Sequence, residues 1–152
     1  MADRVPASIA LGGGITAAQL AELTKLIHDE GLSTEWDGEP FDPAQLTASE
    51  PLRLYAHEVA WGMFEELEAW CREHRVPYMR WSGGFGSEWG AERTVFAGAG
   101  EPVSYDADEN DRIVVHRQTV ERLGSVEAVL AHFDAADFVL PPLFVEDQPV
   151  EP

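Results

Sequence analysis

The chain has 152 residues, 28 acidic against 10 basic, for a net charge of −18, with a single cysteine. A surplus of that size repels nucleic acid and anionic membranes, which argues against direct binding to either, and it attracts basic surfaces instead. One cysteine excludes an internal disulfide framework, and no stretch is long and apolar enough to span a bilayer. The length suits one domain with a proper core. The start of the chain shows no charged region leading into an apolar one, so we expect no secretory signal and a cytoplasmic protein. Nine arginines stand against one lysine, Lys25, a bias that fits a GC-rich bacterial genome or a mobile element within one.

Residues 1–7 read as an unstructured lead. Ile9 and Leu11 then predict a short strand, and Gly12-Gly13-Gly14 a turn. Thr16 with Gln19 three residues on has the pattern of a capping box. Leu20, Leu23 and Ile27 form the stripe of a first helix, which Gly31 stops. Leu32, Thr34 and Trp36 alternate with Ser33 and Glu35 as a second strand, closed by Asp37-Gly38. Residues 38–50 form a loop in which Phe41 and Leu46 are the expected anchors.

The stretch 51–84 is the best patterned. Leu52, Leu54 and Ala56 alternate with Arg53, Tyr55 and His57, the period of a half-buried strand. From Met63 the period lengthens, and Phe64, Leu67, Trp70 and Cys71 fall on one helical stripe. Pro77 cannot continue that helix. Met79 and Trp81 alternate with Tyr78 and Arg80 as a further strand. Two strand-helix-strand halves in series predict an α+β, ferredoxin-like βαββαβ core over residues 8–83.

Residues 84–145 extend that core. A glycine-rich loop with Phe85 and Trp89 leads to a hairpin of Thr94–Phe96 with Val103–Tyr105 across Gly98–Gly100. Ile113–His116 reads as a buried strand. Ser125 caps a last helix with a stripe of Val126, Val129, Leu130 and Phe133. Phe138–Val145, broken by Pro141-Pro142, reads as an edge strand or extended cover. Residues 146–152 form a polar tail. Whether the extension widens the sheet or covers its open face is left open by the pattern.

Several clusters invite a chemistry and fall short of it. Gly12-Gly13-Gly14 between strand and helix lacks both the P-loop lysine and the dinucleotide spacing, so a tight turn explains it better. Cys71 and His74 lie three apart on a helix, with no second pair at ligand spacing, and Cys71 falls on the apolar stripe. Asp106, Asp108 and Asn110 open like a calcium loop, but the glycine is missing and the twelfth position is Arg117. No metal, cofactor or catalytic constellation is expected.

Two surfaces remain. No basic residue lies between Lys25 and Arg53, while Asp29, Glu30, Glu35, Asp37, Glu39 and Asp42 do. These are the expected contact residues for a basic, nucleic-acid-binding protein partner. If Leu52, Leu54, Met79 and Trp81 face the helices, then Arg53, Tyr55, His57, Tyr78 and Arg80 share the open sheet face and could hold a small anion. Trp61, Phe85 and Trp89 sit on turns as interface anchors or core plugs. The charge favours a non-enzymatic interaction protein, a nucleic-acid-mimicking inhibitor of the anti-restriction or anti-CRISPR kind. A ligand-binding or enzymatic domain using the sheet face is the alternative. A third reading is an oligomerising module, a homodimer formed edge to edge.

Overall fold

A computed structural model describes residues 4–47, 49–86 and 89–146. Among these residues the fold is mixed α+β, with four helices and a five-stranded antiparallel sheet. The elements are β1 (Arg4–Leu11), β2 (Gly13–Ile15), α1 (Ala17–Glu30), β3 (Leu52–Ala60), α2 (Glu65–Glu73), β4 (Tyr78–Ser82), β5 (Glu92–Phe96), β6 (Val103–Asp106), α3 (Arg117–Leu123), α4 (Val126–Ala136) and β7 (Leu143–Val145). The strand order is β3-β1-β4-β5-β6, and β2 and β7 form a separate parallel pair. Among the described residues no helix is long and apolar enough to cross a membrane.

β1 is the centre of the sheet's first half, and it starts earlier than the sequence suggests. The expected lead already pairs from Arg4, because an irregularity between Val5 and Ala7 accommodates Pro6, which has no N–H to give the ladder. Ala7, Ile9 and Leu11 point into the main core beneath α1 and α2, together with Leu54, Leu67 and Cys71. The reciprocal capping box of Thr16 and Gln19 starts α1, and Gly31 ends it in the left-handed region at φ 71°. Phe41 is buried as an anchor of the following loop, and Leu46 packs against the core.

The expected strand over Leu32–Trp36 is reduced to one antiparallel bridge, Ser33 to Tyr55. Only Leu32 of that segment is buried, and the chain turns away at Asp37, which takes φ 60°. One apolar anchor does not hold a strand against a turn that begins four residues later.

β4 has the opposite phase from the one its pattern suggests. The register sets Tyr78 and Arg80 beside Leu11 and Ile9, on the helix side, and Met79 and Trp81 beside Ala10 and Ser8, on the other. β4 buries large side chains on both faces, Tyr78 and Arg80 on one and Trp81 on the other, so alternation of apolar residues no longer reports which face is inside. Tyr78 is fully buried against Phe96, and Trp81 belongs to a second small core with Ala91 and Ala107.

The extension does both of the things it could do. β5 and β6 widen the sheet as the expected hairpin. α4 packs on β5, with His132 edge-on to Tyr105 of β6. The open face is thus covered over β5 and β6 and bare over β3, β1 and β4. Ile113–His116 is not a strand: Ile113 makes a lone bridge to Ala107, and His116 is the N-cap of α3, a helix the apolar pattern hides. The stripe on α4 is also turned from expectation. Val126 is 74% and Leu130 57% exposed, while Ala136 is fully buried.

The three glycines at 12–14 belong to a crossing. Gly12 N donates to Pro77 O and Gly13 N to Pro142 O. A Cβ at Gly12 would sit 2.1 Å from the carbonyl oxygen of Pro141. Gly12 is needed because two backbones touch there, and Gly13–Ile15 pairs with Leu143–Val145 instead of turning. The polar tail expected at 146–152 lies outside the described residues beyond Glu146.

Candidate functional site

Of the five residues expected on the open face, the structure brings three together there. Arg53, Tyr55 and His57 follow the outward phase of β3, and Trp36 lies over them with its ring 5.0 Å from both Tyr55 and His57. His57 Nε2 is 2.9 Å from Asp37 Oδ1, at an exposed site. Arg53 is exposed and has no carboxylate within ion-pair distance among the described residues.

Tyr78 and Arg80 are not part of that surface. The Tyr78 hydroxyl accepts from Arg72 Nη1 at 3.0 Å, and burial pushes its pKa up to about 12. Arg80 is 4% exposed, with its Nε 2.9 Å from Glu68 Oε2. That contact is electrostatic, since the Nε–H makes no aligned hydrogen bond. The guanidinium also donates to Gly62 O and Thr94 Oγ1. Glu68 in turn accepts from Phe64 N at 2.7 Å and so caps the start of α2. Arg80 is a structural cation, paired with Glu68 and bonded through its Nη atoms.

The bare part of the face is a cleft of about 530 Å³. Its floor is Ser8 and Ala10 of β1, and Trp36, Arg53, Tyr55, Met79 and Trp81 stand around it. The far wall comes from residues that no local pattern connects: Glu109, Asn110, Asp111, Asp137 and Phe138. Arg93 ties this wall to the sheet. Its Nε donates to Asp111 Oδ1 at 2.9 Å, and its Nη1 to Ala136 O at 2.9 Å and Asp137 Oδ1 at 2.7 Å. Burial alone would lower the Arg93 pKa, and the hydrogen bonds to Asp137 and Asp111 outweigh it and raise it. Burial pushes the Asp111 carboxyl up, against the pull of Arg93. Asp108 folds the adjoining turn: its carboxylate accepts from Asn110 N and Arg112 N, and the backbone bond from Arg112 holds it below its ordinary pKa. No local pattern in the sequence marks Arg93, which lies between Glu92 and Thr94.

The acidic residues expected at the partner surface are all at or near solvent, and they are unequal. Asp29 pairs with Lys25 at 3.0 Å, Asp37 with His57, and Asp42 Oδ1 accepts from Ala44 N to cap a 3-10 turn. Glu35 and Glu39 are exposed. Glu30 is half-buried, and its carboxyl is pushed up by burial and then by the charges of Glu66, Glu68, Glu65 and Asp29. The end of α1 therefore lies beside the acidic first turn of α2, where Glu65 and Glu66 are favoured by the helix N-terminus. Sequence alone does not join those two to the surface, because they sit in another segment of the chain.

Trp61, Phe85 and Trp89 form one cluster. Phe85 stacks on Trp89 at 5.2 Å, and Trp61 lies 6.0 Å from Trp89 while remaining 49% exposed. Cys71 is fully buried, and burial pushes its thiol up, so it is no nucleophile in the folded chain. His74 instead stacks on Trp70 at 4.7 Å. Among the described residues no group of three His, Cys, Asp or Glu is placed to hold a metal ion.

Comparison with protein-family models, with curated proteins and with solved structures found no match for this chain.

Proposed function

We propose that this chain is a non-enzymatic, acidic binding protein that engages a basic, nucleic-acid-binding partner. The observation that carries the reading is the crowding of Asp29, Glu30, Glu65 and Glu66 where α1 meets α2, which adds to burial in raising the Glu30 carboxyl. Like charges held together destabilise a fold, and a basic surface relieves that repulsion on binding. On this reading the carboxylates stand in for backbone phosphates. The protein then acts in the cytoplasm of a bacterium as an inhibitor carried by a mobile element.

The scaffold reading that accompanies it is ferredoxin-like, with the second strand worn down to the Ser33–Tyr55 bridge. Its support is that β3, β1 and β4 are antiparallel neighbours with two helices on one face, and that the bridge falls on the outer edge of β3.

Affinity capture from a bacterial lysate at low and high salt, followed by elution with duplex DNA, tests the function. We expect a nucleic-acid-binding protein that both salt and DNA release, and loss of capture by a folded Glu30→Gln, Glu65→Gln, Glu66→Gln variant. Capture that ignores salt and DNA, or survives the triple substitution undiminished, refutes the reading.

A further inference from the structure

From the bare half of the sheet we infer a second binding site, independent of the acidic surface. Its ligand is a small planar aromatic molecule with an anionic group at one end and a hydrogen-bond donor at the other.

The register makes the slot. Ser8 pairs with Tyr55 on one side and with Trp81 on the other, so these two aromatic residues face each other across a floor one strand wide. Two interstrand spacings put their Cα atoms about 9.6 Å apart. A planar ring in contact with both walls needs about 7 Å between them. Serine and alanine on β1 leave the slot unfilled, where larger side chains would close it. Trp81 is a fixed wall, since its Nε1 donates to Asp108 O at 3.0 Å. Trp36 backs Tyr55 on the opposite side. The volume, about 530 Å³, lies within the range of small-molecule sites.

The charges orient the occupant. One position along from the slot, Ala10 pairs with Arg53 and with Met79, so the unpaired guanidinium stands at the β3 end. At the β5 end Arg93 is shared by Asp111 and Asp137, and Glu109 accepts from Gly84 N. That end keeps surplus negative charge: it attracts an amino or hydroxyl donor and repels a second anion. A nucleic acid strand, with a phosphate at every residue, meets this repulsion and that of the whole chain.

Three probes of one shape test it: 2-naphthoate, 6-amino-2-naphthoate and naphthalene-2,6-dicarboxylate, titrated into the whole chain with amide and indole NMR shifts as the readout. We expect shifts centred on Ser8, Arg53, Tyr55 and the Trp81 indole, with the amino acid tightest and the dianion weakest. Arg53→Gln, at an exposed position, should weaken 2-naphthoate about tenfold. Ser8→Leu should block all three probes. Equal affinity for the dianion, indifference to Arg53→Gln, shifts centred on the apolar face of α4, or no shift at saturating probe would each overturn the inference.

Discussion

The most informative substitution is Arg80→Met, because it separates a ligand residue from a structural one. Arg80 and Glu68 are both nearly sealed from water and lie 2.9 Å apart. Removing the cation strands a carboxylate beneath α2, and its remaining partner is the Phe64 amide. It also leaves Gly62 O and Thr94 Oγ1 without a donor they now have. Breaking a buried pair on one side costs about 3–5 kcal/mol, out of a typical domain stability of about 5–15. For a chain of this size that corresponds to a Tm lower by roughly 6–20 °C. Glu68→Gln keeps an acceptor for the Phe64 amide, so in the double variant the stranded charge is gone. The double variant should be more stable than the sum of the singles by about 1–3 kcal/mol. Urea unfolding of the four chains, with the m value as a check on two-state behaviour, measures this. A loss below about 1 kcal/mol for Arg80→Met, with unchanged m, would refute a buried pair and return Arg80 to the candidate ligand residues.

Two further substitutions probe the acidic surface and the glycine crossing. The Glu30 carboxyl lies above its ordinary value, so the folded chain keeps that proton to a higher pH than the unfolded chain, and stability falls as pH rises through this range. Glu30→Gln should therefore stabilise at pH 7 by on the order of 0.5 kcal/mol, with the gain vanishing below the ordinary carboxylate range; a gain that persists in acid would contradict the cause given. Gly12→Ala drives a methyl into the Pro141 carbonyl and should loosen the β2–β7 pair at a cost of about 2 kcal/mol. Faster proteolysis within 138–146 would report it, and unchanged resistance would count against the contact.

The parts of the fold that were legible in sequence are those where one element meets water on one side. The stripe Phe64, Leu67, Trp70 and Cys71, the Thr16 capping box and the alternation along β3 all describe a boundary between core and solvent, and each is found in the structure. Legibility ends where a segment buries large side chains on both faces. β4 alternates apolar and polar residues in the wrong phase because Arg80 is buried on the helix side with Glu68, while Met79 is half-buried at the cleft. The site follows the same rule. Arg53, Tyr55 and His57 share one strand and one period, whereas Asp111 and Asp137 reach the cleft through the tertiary anchor at Arg93, and Glu109 through the Gly84 amide. Val126 and Leu130 show the reverse case, since apolar spacing on α4 suggests an inward face and the helix turns those two residues outward.

The parallel pairing of Gly13–Ile15 with Leu143–Val145 has a consequence for how the chain comes to be folded in a cell. Synthesis is vectorial. The central strand and both helices beneath the sheet are made long before Val145 exists, yet the main core must wait for Leu143 while the groove at the three glycines stands empty. Ile15 must wait for the last strand to be translated before its edge is sealed. A ribosome that stalls or a message cut short upstream of residue 143 would therefore release a species whose core lacks Leu143 and whose margin is unsealed. Quality-control proteases could recognise it by that margin, without reading its sequence.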